Sequence, residues 1–163
     1  MSPSLETLTQ TESELIRALN SVVGTIEEKN DQLRELGVYE GFAHIYREYA
    51  ASDDLEATKR AIFYLWFQMS EPPVFSGLAD LPKEISDKVF EKLEGLAKAG
   101  NVDTELQWML PYYYSITDWI FDEVYESSPE LKRLLTSNLD SWETERRRDK
   151  FIGRGLMGNY WSS

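Results

Sequence analysis

The sequence predicts an all-α fold, a single-domain helical bundle of five to six helices with an aromatic-rich helix at its centre. Three observations predict it. Apolar residues recur three and four positions apart along most of the chain, the spacing of one face of an α-helix. No strand-like alternation of useful length occurs, and no repeat period. Prolines and glycines fall between the periodic runs, where helices stop. At 163 residues the chain has the length of one domain.

Residues 1–10 read as a flexible polar lead, residues 11–150 as the helical domain, and residues 151–163 as an apolar, glycine-rich tail. Thr11 opens a capping box, with Glu14 three positions on able to reach back to its amide. Leu15, Leu19, Val22, Ile26, Lys29, Leu33 and Leu36 then alternate spacings of four and three up to Gly37. That is a coiled-coil-like seam, and Lys29 is its one polar interruption.

A second helix over residues 38–51 turns Tyr39, Phe42, Ile45, Tyr46 and Tyr49 inward. A third covers residues 54–69, and Pro72 and Pro73 stop it, since neither can donate a backbone hydrogen bond. The segment that follows, residues 70–80, is apolar for a loop, and Phe75 makes it a candidate lid or docking surface. A fourth helix near residues 82–98 shows a narrow stripe of Ile85, Val89, Leu93 and Leu96, with Gly100 as its stop.

The fifth helix, residues 105–126, carries seven aromatic residues. Placed at about 100° per residue, its apolar side chains sweep most of the circumference, which describes a helix surrounded by others. Pro111, Ser115, Asp118 and Asp122 form the one polar strip, so the kink at Pro111 would face water. Glu123 falls inside the apolar arc, where a lone charge is costly. Lys29 is the partner the pattern offers it, in a bridge across the core; the competing reading is that Glu123 reaches solvent near the helix end. Ser128 and Pro129 start a sixth helix, with Leu131, Leu135, Leu139 and Trp142 inward and a Glu143–Arg147 pair outward.

The formal net charge is −12, and it is uneven: residues 1–145 hold 12 basic and 28 acidic groups, residues 146–163 five basic and one acidic. An acidic body repels nucleic acid and anionic lipid and attracts basic partners. No uncharged apolar stretch approaches the roughly 20 residues of a membrane span, and the start lacks the basic-then-apolar pattern of a secretion signal. A cytoplasmic location is the expectation. The chain has no cysteine, so disulfide and thiolate chemistry are excluded.

Known catalytic patterns find little purchase. Gly153, Gly155 and Gly158 spell G-x-G-x-x-G, but only five residues follow, too few for the strand-helix-strand unit that makes the pattern a dinucleotide site. His44 is the single histidine, between Glu40 and Glu48, which is too few ligands for a zinc or di-iron centre. No metal site and no cofactor are therefore expected. The run Arg146, Arg147, Arg148, with Lys150 and Arg154, is read as pairing with the chain's own carboxylates and fastening the tail. No nucleic acid and no membrane are expected as partners.

The leading expectation is a non-enzymatic acidic interaction protein that binds and occludes a basic partner, in the manner of an immunity protein, an antitoxin or a DNA mimic. The alternative is a small-ligand-binding helical protein or enzyme, with an aromatic and carboxylate pocket under the loop at Pro72 and Pro73. Candidate binding residues are Lys29, Phe75, Tyr113, Tyr114, Asp118, Trp119, Asp122, Glu123 and Trp161; none is assigned as catalytic. A third expectation is a homodimer made through the tail, as a swapped arm or a strap.

Overall fold

The computed structural model describes residues 2–140 and 142–163. Eleven helices and two short 3-10 turns account for its regular structure, with no strand among the described residues. The all-α expectation holds; the expected five to six helices do not, because the long periodic stretches are broken.

The first break lies inside the expected seam. Helix α1 (Leu5–Ser21) starts six residues before Thr11, capped by Ser4, whose hydroxyl accepts from the Thr7 amide at 3.1 Å. Thr11 therefore sits within the helix, its hydroxyl donating to the Thr7 carbonyl. The chain turns extended at Val22 and restarts as α2 (Ile26–Glu35) behind Thr25. Thr25 and Glu28 occupy the capping-box positions: the Glu28 amide donates to Oγ1 of Thr25, and that hydroxyl, rather than the Thr25 amide, donates to the Glu28 carboxylate, both at 3.1 Å. The seam ends there, so Lys29 interrupts nothing.

Helix α3 (Val38–Ala51) follows the left-handed Gly37 and buries Phe42, Ile45, Tyr46 and Tyr49. Asp54 caps α4 (Leu55–Ser70), which is the true centre of the molecule: residues 57–66 are buried without exception. A helix buried all round must be approached from every side, and Ala57 and Ala61 let neighbours come close. Pro73 opens the single turn α5 (Pro73–Ser76), and α6 (Lys83–Ala99) runs to Gly100, whose left-handed backbone closes it.

The aromatic stretch was expected as one central helix. It is α7 (Thr104–Ile116), a 3-10 turn over residues 118–121, and α8 (Asp122–Ser127). Thr117 leaves helical geometry, with φ −136° and ψ 65°. This break re-aims every later side chain, so a single helical wheel fails beyond it. Phe121 and Val124 turn inward, and Asp118, Asp122 and Glu123 face solvent. Pro111, expected on a wet strip, is buried within α7.

Ser128 caps α9 (Pro129–Leu135) as expected. A separate turn, α10 (Trp142–Glu145), ends too early for a helical pair between Glu143 and Arg147. A 3-10 turn at residues 148–151 leads through Gly153 and Gly155 into α11 (Gly155–Ser162). That last helix packs against α1 and α4 of its own chain. Phe151, Met157 and Trp161 are buried there, with Trp161 edge-on to Trp108 at 4.8 Å. Trp66 stacks on Tyr113 at 4.7 Å and meets Tyr160 edge-on at 5.3 Å, tying α4, α7 and α11 into one aromatic core. No helix among the described residues is long and apolar enough to cross a membrane.

Candidate functional site

Two arrangements of polar side chains stand out, one inside the molecule and one at its surface. The internal one is built on Glu12, which is fully buried in the middle of α1. Its carboxylate accepts from the Tyr49 hydroxyl, from the Tyr64 hydroxyl at 2.7 Å and from the Leu156 amide at 2.8 Å. The Arg60 guanidinium stands 3.6 Å away. Burial lifts the Glu12 carboxyl above its ordinary range, opposed by the Leu156 amide, the two phenols and Arg60. Burial also pushes Tyr49 and Tyr64 up, helped by the Glu12 charge, so both phenols keep their protons and donate.

From Glu12 a chain of charges runs across the bundle. Arg60 donates to Thr9 at 2.7 Å, to Tyr49 at 3.0 Å and to Glu56 at 2.9 Å. Glu56 and Glu105 both receive Arg154, at 2.6 and 2.8 Å, and Lys59 bonds Glu105 at 2.8 Å and pairs with Asp103. Burial works to raise the Glu105 carboxyl, and the hydrogen bonds from Arg154 and Lys59 outweigh it, holding the group at about 2. Helices α1, α4, α7 and α11 meet in this seam. Of the basic run near the C-terminus, Arg154 fastens the tail to the chain's own carboxylates, while Arg147 and Arg148 are exposed.

The glycine pattern finds its use here. Gly155 has φ +67°, a backbone state that disfavours side chains, and a Cβ there would collide with the Glu12 carboxylate. The turn presents the Leu156 amide, in the first turn of α11, to an anion, as a nucleotide-binding turn presents its amides. The anion is the protein's own Glu12.

The surface arrangement is a groove of about 480 Å³ between the end of α4, the start of α6 and the break after α7. Trp119, Asp122 and Glu123 line it together with Met69 and with Lys83 and Asp87, which pair at 3.2 Å. Trp119 is 54% exposed, Ile116 49% and Met69 45%. Exposed aliphatic and aromatic surface edged by carboxylates is the composition of an interaction patch.

Three of the nine sequence-predicted residues therefore meet in one groove: Trp119, Asp122 and Glu123. Asp118 is exposed at the start of the same 3-10 turn, and Tyr114 is half-buried, stacked on Tyr125 at 5.6 Å. The others go elsewhere. Tyr113 and Trp161 are buried in the aromatic core, where the Trp161 indole donates to the Tyr113 hydroxyl at 3.2 Å. Trp161 thus packs within its own chain, as do Phe151 and Met157, while Ile152 of the same tail is 74% exposed. Phe75 is 53% exposed on α5 and lines no part of the groove.

The core bridge between Lys29 and Glu123 is corrected outright. Glu123 is exposed on α8, Lys29 is half-buried on α2, and no ion pair joins them among the described residues. The cavity under the loop at Pro73 is lined by Asn30, Arg34, Tyr39 and Asp80, and holds neither Asp122 nor Glu123. It shares Gln68, Met69 and Leu81 with the groove, so the two lie side by side.

Sequence reasoning missed Glu12, Lys59, Arg60 and Glu105, and set Gly155 aside with the rest of its glycine pattern. A signal for Glu12 was available. With α1 begun at Leu5, Leu8, Glu12, Leu15 and Leu19 recur at spacings of four and three, which puts a carboxylate on the apolar face. Comparison with protein-family models, with curated proteins and with solved structures finds no match.

Proposed function

We propose that the chain is a non-enzymatic acidic interaction protein whose partner presents a basic, amphipathic segment, docked in the groove between α4, α6 and α8. The observation that carries this reading is Trp119, more than half exposed with Asp118, Asp122 and Glu123 around it. A tryptophan in water beside carboxylates serves as an anchor that a partner's apolar side chains cover, while the rim steers basic residues to it. The internal seam absorbs three cations (Lys59, Arg60, Arg154) and four acids (Glu12, Glu56, Asp103, Glu105). The excess negative charge of the chain is thereby left to its surface. Occlusion of a basic partner by such a surface is the mode of immunity proteins, antitoxins and DNA mimics.

The test is titration of the protein with a leucine–lysine amphipathic helical peptide, with a leucine–glutamate peptide as control. The basic peptide binds, and added salt weakens it. Trp119→Ala weakens it about tenfold or more, as does the double reversal Asp122→Lys with Glu123→Lys. Equal affinity of either variant and the parent chain overturns the groove as the site.

A further inference from the structure

Eight large hydrophobic residues are exposed among the described residues, and seven of them, Trp119 included, have more acidic than basic neighbours within five positions of sequence. Ile152 is the exception and the most exposed of the eight, at 74%. Around it stand Arg147, Arg148, Lys150 and Arg154 against the single acid Asp149. Arg154 turns inward onto Glu56 and Glu105, whereas Arg147, Arg148 and Lys150 are exposed.

The backbone presents these side chains on a fixed tip. The Lys150 amide donates to the Arg147 carbonyl at 2.9 Å, and the Arg154 guanidinium donates to the Lys150 carbonyl at 3.3 Å. Phe151 is buried beneath, with the Arg154 guanidinium 4.5 Å from the centre of its ring. A segment already held in shape binds with less ordering cost than a mobile one. A Cβ on the next residue, Gly153, would meet nothing within 4 Å, so the chain beside Ile152 faces open space.

An exposed aliphatic side chain flanked by cations is the basic, amphipathic segment that the groove at Trp119 calls for, and this chain carries one. It cannot turn back into its own groove. Arg154 pins it to Glu56 in the first turn of α4, while Leu65, Gln68 and Met69 line the groove at the other end of that helix. At 1.5 Å per residue, Glu56 and Met69 lie about 20 Å apart. Taking the groove as the docking site proposed above, we infer that its occupant is residues 147–152 of a second copy of this chain. Ile152 covers Trp119 and Met69, and Arg147, Arg148 and Lys150 meet Asp118, Asp122 and Glu123. The net charge of −12 opposes the approach of two copies. At physiological ionic strength that field is screened beyond about 8 Å, whereas partly buried pairs within a contact are screened much less. A contact this small makes a transient complex, not an obligate one.

The experiment is sedimentation equilibrium of the full chain at about 0.15 M salt, from micromolar concentration to about 1 mM, beside the leucine–lysine peptide titration. The mean mass rises with concentration above the monomer's 18.9 kDa, and falls back at about 1 M salt. Trp119→Ala and Ile152→Asp each weaken the association about tenfold or more. Both positions are exposed, and unchanged thermal melts show that the variants fold. An equimolar mixture of the two variants associates again, because the intact tip of the first meets the intact groove of the second. A parent chain that stays monomeric while the peptide binds overturns the second copy as occupant and leaves the groove as the site of another basic partner. Association that survives either substitution overturns the inference too, as does a mixture that stays monomeric. A peptide that does not bind, with a chain that does not associate, overturns the groove itself.

Discussion

The Glu12 carboxylate accepts the backbone N–H of Leu156 at 2.8 Å, joining the first helix to the last across 144 positions of sequence. The side chain that caps α11 thus comes from another helix, and it is held for the purpose by Tyr49, Tyr64 and Arg60. Removing it strands three donors in the interior at once, the Leu156 amide and the Tyr49 and Tyr64 hydroxyls, and takes one of two nearby carboxylates from Arg60. Glu12→Ala is expected to destabilise the fold by about 3–5 kcal/mol, the range for breaking a buried ionic cluster from one side. Glu12→Gln keeps one acceptor oxygen but turns an NH₂ toward donors, so its loss falls between the two. Urea denaturation of the three proteins gives the order.

Gly155 and Gly153 separate two effects that a glycine can have. Both have positive φ, +67° and +78°, but a Cβ at Gly153 meets nothing within 4 Å, whereas at Gly155 it meets the Glu12 carboxylate. Gly153→Ala is expected to lose only the left-handed backbone preference, about 1 kcal/mol. Gly155→Ala adds a collision with a buried anion and is expected to lose at least about 2 kcal/mol more. Equal losses in thermal denaturation would assign the whole effect to the backbone.

What could be read from the sequence divides by range. Asp54, Gly37, Gly100 and the Ser128–Pro129 pair act through their immediate neighbours, and the helix ends they mark lie where expected. The Thr25–Glu28 cap is equally local and legible, but the spacing of three and four runs straight through it and hides the break. Thr117 has no such marker. The helix stops there because burying Phe121 and Val124 requires a turn that only the packed partners define. The same holds for the site: a buried carboxylate bridging helices was the right kind of feature, but the wheel placed it at Glu123. Its true position, Glu12, depends on where α1 begins, and that is set by Ser4.

Trp161 tests how far the tail carries the core. It is fully buried, touches Trp108, Tyr112 and Tyr160 ring to ring, and donates to Tyr113. Trp161→Ala is expected to lose about 3–5 kcal/mol, the range for truncating a buried aromatic side chain. Tyr113→Phe removes only the hydroxyl acceptor and is expected to lose about 1–2 kcal/mol, because the indole N–H stays buried without a partner. Chemical denaturation followed by tryptophan fluorescence reads both.

The charged seam makes stability depend on pH in two opposite ways. Glu105 titrates near 4.5 in the unfolded chain and at about 2 in the folded one, where burial is outweighed by Arg154 and Lys59. The unfolded chain therefore takes the proton first, so the stability Glu105 contributes is complete above about 4.5 and is lost as pH falls toward 2. Solvent reaches part of this carboxylate, which limits the contribution to on the order of 1–2 kcal/mol. Glu12 has the reverse sign, because burial raises its folded value above 4.5. The folded chain takes that proton first, and stability rises as pH falls from the raised value toward 4.5. Together the two carboxylates predict a stability maximum on the acid side of neutrality and a decline below pH 4.5. Glu105→Gln is expected to lower stability at neutral pH by the same 1–2 kcal/mol and to flatten the decline at low pH. Urea midpoints of both proteins across the acid range measure this, and an unchanged acid limb in the variant would place the loss on other carboxylates.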